Sequence, residues 1–316
     1  MEEFKSYNRR DFLRSVALGG GALVAFSMLP DKVLAHAAED YIKLTILHTN
    51  DQHSRIDPFP LSDPQYPGLG GFARRASLIK KIRSEEKNVL LFDAGDIWQG
   101  TPYFNLFGGE LEFKLMNEMM YDASTIGNHD LDNGIEGLVK QLPIAKFPFI
   151  NCNYDFSQTE MSEKTIPYKI FERDNLKVGV FGLGIELEGL VSKKNYGNTI
   201  YIDPIQKAAE YSHFLKHEMK CDLVVCLSHL GDRYDDRKVS DSVIAVQSRN
   251  IDIFIGGHTH RFLDKPIVLS NSDKKEVIVV QAVFAGIRLG RIDYFFSRNK
   301  KNKKTSFGSY VKISDK

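Results

Sequence analysis

Polar side chains that can bind metal ions or move protons recur at five points of this 316-residue chain. Each cluster directly follows a run of apolar, largely β-branched residues of the kind that forms a buried strand. The stretch GNHDLDNG at 127–134, which begins with one of these clusters, places two amides, an imidazole and two carboxylates between glycines. A surface turn would use the same residue types and is the alternative interpretation of any one cluster. The clusters are NDQH (50–53), GD (95–96), GNHD (127–130), SHLGD (228–232) and GGHTH (256–260).

Carboxylate, imidazole and amide oxygen together suit a borderline divalent metal ion, and no cluster contains a thiolate. Seven of the side chains in the clusters are candidate ligands, which is too many for one tetrahedral site. Two metal ions that share a bridging carboxylate would use all of them. The candidate ligands are Asp51, His53, Asp96, Asn128, His229, His258 and His260.

The spacing within two clusters also suits a shared site. Asp51 and His53 are two residues apart, and His258 and His260 repeat that spacing. Side chains two residues apart on an extended strand point to the same side. Both side chains of each pair are therefore expected to point to one side of a strand extension.

The segments between the clusters must bring these side chains together. Short strand-like runs, such as IKLTILHT and DLVVCLS, alternate with amphipathic helical stretches, such as PIQKAAEYSHFLKHEM. This alternation predicts α/β layers with a substantial parallel component, in which ligands collect outside the carboxyl ends of the strands. The last runs, EVIVVQAV, RLGRIDYFF and SFGSYVKIS, predict a second, more antiparallel sheet. The Pro- and Gly-rich stretch 57–71 predicts a loop at the rim of the site.

Five motifs, in order, resemble the pattern D-x-H, G-D, G-N-H-[ED], H and G-H-x-[HQ] of the calcineurin-like metallophosphoesterases. GGFARRA and VVQAVFAGIRLGRID are similar to the bacterial 5′-nucleotidase branch of that family. The resemblance covers about residues 44–295. It implies a four-layer α/β/β/α sandwich with two mixed sheets, and a metal-dependent hydrolase that acts on phosphoric ester bonds.

The resemblance also implies which residues bind which ion. His260 stands where nucleotidases often have Gln, so the resemblance does not fix the metal preference. The candidate ions are Mn, Zn, Fe, Co and Mg. One ion is expected at Asp51, His53, Asp96 and His260, and the other at Asp96, Asn128, His229 and His258.

The implied reaction is attack on phosphorus by a hydroxide between two ions about 3.5–4 Å apart. By resemblance, His129 faces the scissile phosphate and protonates the leaving oxygen, and Asp132 fixes the tautomer of that imidazole. The neighbouring carboxylates match no ligand position and are interpreted as turn caps or supporting groups. They are Asp93, Asp130 and Asp232.

The expected substrate is the phosphate ester of a nucleotide. Another phosphoesterase, a thiosulfate-ester hydrolase of the same superfamily and a non-catalytic ligand-binding protein are the alternatives. An intact His129–Asp132 pair argues against the last, because a binding protein has no need for a general acid.

The N-terminal segment predicts export. NRRDFLR at 8–14, the short apolar run SVALGGGALVAFSML and AHA at 35–37 resemble a twin-arginine-type signal peptide, residues 1–37, cleaved near Ala37. The apolar run is too short and too glycine-rich for a stable membrane span, which needs roughly 18 apolar residues. Residues 38–316 are then the catalytic domain, located in the periplasm or cell envelope.

The expected partners follow from the composition and from the expectation that the chain has no nucleotidase C-terminal domain. The formal net charge of +1 does not predict a basic surface that would bind a nucleic acid polymer. The basic run at 300–304 is expected in a hairpin loop. Three cysteines without CxxC spacing imply no disulfide framework. We expect a small phosphate ester as the ligand and a separate chain that supplies the nucleotidase C-terminal domain.

The export prediction can be tested by replacing the arginine pair. Arg9→Lys with Arg10→Lys should leave unprocessed precursor in the cytoplasm, because the twin-arginine route requires the pair. Immunoblots of cell fractions measure this, with wild-type protein as the control. Normal processing of the double variant would instead favour the general secretory route.

Overall fold

The computed structural model describes residues 41–236, 238–298 and 304–314. The expected signal peptide and the loop of the expected C-terminal hairpin, residues 299–303, lie outside the described residues. The described residues form two compact units. The smaller consists of residues 41–43, 294–298 and 304–306, in which the Lys43 ammonium lies 5.8 Å from the Phe295 ring centroid. All candidate site residues belong to the larger unit.

The helices and strands alternate through most of the chain, as predicted. The strands are β1 (Tyr41–Thr49), β2 (Val89–Asp93), β3 (Ala123–Ser124), β4 (Tyr154–Asp155), β5 (Tyr168–Arg173), β6 (Leu176–Leu183), β7 (Ile200–Tyr201), β8 (Leu223–Ser228), β9 (Ile253–Gly256), β10 (Ile267–Ser270), β11 (Glu276–Val280), β12 (Arg288–Ser297) and β13 (Lys304–Lys312). The α-helices are α1 (Phe72–Glu85), α2 (Pro102–Phe107), α3 (Glu110–Glu118), α4 (Gly134–Gln141), α5 (Lys193–Tyr196), α6 (Pro204–His213) and α7 (Asp241–Gln247).

Two large sheets contain most of these strands. The first has the order β13-β12-β1-β2-β3, with β1, β2 and β3 parallel. The second has the order β10-β11-β9-β8-β6-β5; its four central strands run parallel, and β10 and β5 pair antiparallel at the edges. Strands β4 and β7 form a separate small antiparallel pair.

Successive side chains of a strand point to opposite faces of its sheet, and the elements that pack on these faces form four layers. On β2, Leu91 belongs to a hydrophobic core that also contains Ile79 of α1, whereas Phe92 points the other way and meets Phe171 of β5 at a ring-centroid distance of 5.5 Å. Residues on the far face of the second sheet pack with Ala208 of α6 and Ile244 of α7. The order is therefore helices, sheet, sheet, helices. The predicted α/β class with mixed sheets is confirmed.

The C-terminal strands do not form a sheet of their own, and that prediction is wrong. Strand β11 joins the second sheet beside β9, while β12 and β13 extend the first sheet from β1. Residues 277–280 of β11 are all buried. A strand buried on both faces needs a place inside a covered sheet rather than in a half-solvated antiparallel layer.

The parallel arrangement brings the carboxyl ends of five strands to the polar clusters. Strands β1, β2 and β3 end at Thr49, Asp93 and Ser124, and β8 and β9 end at Ser228 and Gly256. Each cluster starts within a few residues of one of these ends. Among the described residues, no helix combines the length and the apolar character that crossing a membrane requires.

Candidate dinuclear metal site

Backbone hydrogen bonds join the turns that carry the polar clusters. The Asp51 N–H donates to the Gly95 carbonyl over 2.9 Å, and the His53 N–H donates to the Asp96 carbonyl over 3.1 Å. A Cβ atom at Gly127 would lie 2.2 Å from the Asp96 carboxylate, so this position has room only for glycine. The turns therefore meet closely enough to bring ligands from distant parts of the chain together.

One group of possible metal ligands consists of Asp51, His53 and His260, whose ligand atoms all lie within 4.8 Å of one another. The His260 Nε2 atom lies 3.0 Å from the His53 Nε2 atom and 3.0 Å from the Asp51 Oδ1 atom. This group contains three of the four residues expected at the first ion.

A second group consists of Asp96, His229 and His258, also with ligand atoms within 4.8 Å of one another. The His229 Nε2 atom lies 3.0 Å from Asp96 Oδ2 and 3.9 Å from Asp51 Oδ1, so the two groups adjoin. The Asn128 Oδ1 atom lies 3.0 Å from His258 Nδ1. All seven candidate ligands therefore come together, although the role of each one stays a prediction.

The donor atoms fit divalent metal ions. Two nitrogen ligands at about 2.1 Å from a tetrahedral or octahedral ion lie about 3.0–3.4 Å apart, and the two imidazole nitrogens of the first group have such a separation, 3.0 Å. Both groups combine a buried carboxylate with imidazoles, which suits a borderline ion. The chain thus has two candidate metal sites.

The backbone of these turns differs from the predicted strand extension. Five candidate ligands have left-handed backbone conformations, which non-glycine residues adopt at a cost. Tight turns just beyond the strand ends, rather than extended segments, therefore direct these side chains inward. Their φ angles are 48° at Asp51, 48° at His53, 55° at Asp96, 70° at His258 and 48° at His260.

Burial and neighbouring charges set the pKa values of the imidazoles in opposite directions. Burial lowers the pKa of His53 and lowers that of His258 to about 4, so both rings are neutral and able to bind a metal. Burial also opposes the charged form of His229, but the adjacent Asp96 carboxylate raises its pKa to about 10. A cation is therefore favoured beside Asp96.

His129 and Asp132 form the pair that was expected to transfer a proton. The His129 Nδ1 atom lies 2.8 Å from Asp132 Oδ2, and the His129 N–H donates to Asp96 Oδ1 over 2.8 Å. The His129 ring centroid lies 5.3 Å from that of His53. The hydrogen bond with Asp132 raises the pKa of His129 and outweighs the lowering by burial.

Of the carboxylates interpreted as turn caps or supporting groups, Asp93 and Asp130 cap turns through backbone N–H groups, and Asp232 supports a side chain. Asp130 accepts hydrogen bonds from the N–H groups of Asp96, Ile97 and Gly127 at 3.0, 2.8 and 2.8 Å. Asp93 accepts one from the Gly95 N–H at 2.9 Å, and Asp232 accepts one from the Thr259 hydroxyl at 2.7 Å.

Two supporting residues were not predicted from the sequence. The Arg75 guanidinium is buried and donates to the Gln52 side chain, which donates to Asp93 Oδ2 over 2.7 Å. Gln52 lies between two candidate ligands, so this network holds their turn. The available signal was an arginine on the buried face of α1, together with Phe72 and Ile79.

Residues 44–262 match the calcineurin-like phosphoesterase family. The chain belongs to that family. It is therefore a phosphoesterase, a hydrolase of phosphate esters, and the two candidate metal sites fit a dinuclear enzyme.

Individual relatives include 5′-nucleotidases. A snake venom 5′-nucleotidase from Crotalus adamanteus is 32% identical over 293 residues, which covers 86% of this chain and 48% of the venom protein. The solved structure of a 5′-nucleotidase precursor from Thermus thermophilus has a TM-score of 0.78 and 29% identity, and the match covers 86% of this chain and 55% of that one. The NAD nucleotidase of Haemophilus influenzae has a TM-score of 0.74 and 27% identity, with 86% and 56% covered. The chain spans about half the length of the curated relatives it matches.

Replacing Asp96 should reduce metal binding most, because its carboxylate is the one that the family resemblance implies for both ions. Elemental analysis should find fewer divalent ions per folded chain in Asp96→Asn than in His260→Ala, which removes a ligand from one group only. Asp264→Asn, at a carboxylate that is 95% exposed, is the matched control and should retain the wild-type content. Equal metal content in Asp96→Asn and wild type would contradict a shared role of Asp96.

Proposed function

We propose that this phosphoesterase hydrolyses the phosphate esters of nucleotides, in the manner of a 5′-nucleotidase. The proposal rests on the contact of the two donor groups with each other and with His129. The backbone N–H of His129 donates a hydrogen bond to the Asp96 carboxylate. Such an arrangement can hold a phosphate and protonate a leaving group at the same place. The 5′-nucleotidases among the relatives support the nucleotide as the substrate.

The side chains divide into holding and proton-transfer roles. When bound at the seven candidate ligands, two divalent ions supply positive charge for the phosphoryl oxygens and activate water. Asp132 accepts a hydrogen bond from the Nδ1–H of His129, which fixes the tautomer and leaves the other ring nitrogen for proton transfer. In its protonated form, His129 donates the proton of that other ring nitrogen to the leaving oxygen as the bond between this oxygen and phosphorus breaks, and the ring becomes neutral.

The sequence left three alternatives to a nucleotide phosphoesterase, and membership of the phosphoesterase family argues against the non-catalytic one. A different phosphoesterase or a thiosulfate-ester hydrolase would use the same donor groups with another substrate. A non-catalytic binding protein would not require the 2.8 Å contact between His129 and Asp132, so that contact favours an enzyme. Turnover of AMP, UDP-glucose, a 2′,3′-cyclic nucleotide and bis(p-nitrophenyl) phosphate with added Mn²⁺ separates these possibilities.

We also propose that residues 1–37 direct export and that residues 38–316 act as the catalytic domain in the periplasm or cell envelope. The paired arginines, the short apolar run and the AHA sequence support this part of the proposal. The replacement of Arg9 and Arg10 by lysine tests it.

A second polypeptide is part of the proposal. The match covers 48% of the venom 5′-nucleotidase, so about half of that protein lies outside the matched region. A separate chain that resembles a nucleotidase C-terminal domain would add groups that bind the nucleoside. The KM for AMP, measured with and without such a polypeptide, tests this; a micromolar KM without it would contradict the idea.

His129→Ala should lower kcat for AMP by about 10²–10⁴-fold while metal content stays near normal, because His129 transfers a proton and does not bind metal. Steady-state kinetics and elemental analysis measure the two effects. His213→Ala, at an exposed histidine, is the matched control.

Chelation provides the complementary test. Exhaustive removal of divalent ions should abolish turnover, and Mn²⁺ should restore it. Loss of metal together with turnover in His129→Ala would show that the assignment of His129 is wrong, and full activity after chelation would exclude the two-metal proposal.

A further inference from the structure

Three aromatic side chains form a surface that begins at the candidate metal site. They are Tyr66 in the loop 57–71, Phe262 two residues after His260, and Phe284 in the turn between β11 and β12. We call these three residues the aromatic surface. No role in metal binding or proton transfer has been assigned to any of them above.

The rings of the aromatic surface follow one another away from His260. The Phe284 ring stacks on the His260 imidazole at a centroid distance of 5.1 Å and an interplanar angle of 12°. Tyr66 meets Phe284 edge-on at 5.5 Å and stacks on Phe262 at 5.9 Å and 13°. Phe262 is 44% exposed, so solvent reaches the far end of the row.

The loop that carries Tyr66 is held in place by its own contacts. The Phe59 N–H donates to the Leu69 carbonyl over 2.8 Å, which closes the loop, and the Tyr66 N–H donates to the Asp63 carboxylate over 2.7 Å. The buried Phe59 ring lies beneath, 5.4 Å from the Tyr66 centroid. A rigid surface of this kind loses little conformational entropy when a ligand binds.

The backbone around Phe284 is strained and tied to the metal-site turn. Val283 and Ala285, on either side of it, have φ angles of 68° and 52°. A β-branched residue rarely adopts such an angle, and strain of this type clusters where ligands bind. The Ala285 N–H donates to the Asp51 carbonyl over 2.7 Å, and the Val283 carbonyl accepts from the Asn50 side chain over 2.6 Å. These contacts fix Phe284 relative to the candidate ligand Asp51.

We propose that the aromatic surface binds the base of a nucleotide whose phosphate lies at the candidate metal site, by stacking on the Tyr66–Phe262 pair. The inference rests on the proposed function, since it places a phosphate ester at the metal site. Every nucleobase has a flat π-face that stacks on aromatic rings regardless of sequence. A base on this surface keeps its other face open, which is the face that a second polypeptide would cover.

The test compares a substrate that has a base with one that has none. The KM values for AMP and for glycerol 3-phosphate are measured with Mn²⁺ in wild type, Tyr66→Ala and Phe262→Ala. The ratio of the KM for AMP to the KM for glycerol 3-phosphate should rise at least about fivefold in both variants, which is the lower end of the effect of losing one stacking ring. Phe262→Trp should keep the wild-type ratio, because tryptophan retains a stacking face.

The matched control is Phe107→Ala in α2. Phe107 is 46% exposed and its ring stacks on Tyr103 at 6.4 Å, so it resembles Phe262 in exposure and in pairing. This variant should leave the ratio at the wild-type value. Metal content like that of wild type shows that each variant is folded.

The outcomes separate the inference from the proposed function. If wild type hydrolyses both esters and Phe262→Ala leaves the ratio unchanged, or if Phe107→Ala raises it as much, the inference is overturned while the proposed function stands. If Phe262→Trp behaves like Phe262→Ala, stacking is excluded as the cause. If wild type hydrolyses neither ester, the proposed function fails and the inference falls with it.

Discussion

The burial of two carboxylates side by side is the constraint on which the rest of the structure depends. Asp51 and Asp96 are almost completely buried, and the same imidazole, His229, lies within 3.9 Å of both. Burial of uncompensated charge is costly, so the fold must supply donors or cations around them. Backbone N–H groups of His258 and His129 donate to the two carboxylates at 2.9 and 2.8 Å. Two divalent ions would supply the remaining positive charge.

The same requirement explains the strained turns and the polar network behind them. A carboxylate can meet N–H groups from several strands only where the strand ends converge, and left-handed residues turn the chain sharply at that point. Asp130 ties the turn at Asp96 to the turn at Gly127, and the Arg75–Gln52–Asp93 network supports the turn at Asp51. The site is thus held by buried hydrogen bonds rather than by the strands alone.

Much of the site could be predicted from the sequence because each ligand follows its own strand. Local patterns predicted the strand ends, and the ordered motifs predicted which side chains lie close together; all seven candidate ligands do so. The pairing of β11 with β9 could not be predicted, because a strand-like run does not encode its neighbour. The left-handed turns and the aromatic surface could not be predicted either. Tyr66, Phe262 and Phe284 are brought together only by the tertiary fold.

Two divalent ions are expected in one shared site, held by the two donor groups. Anomalous scattering from crystals of the folded protein grown with Mn²⁺ would locate them. Two peaks are expected, one among Asp51, His53 and His260 and the other among Asp96, His229 and His258. A single peak, or peaks outside these groups, would contradict this expectation.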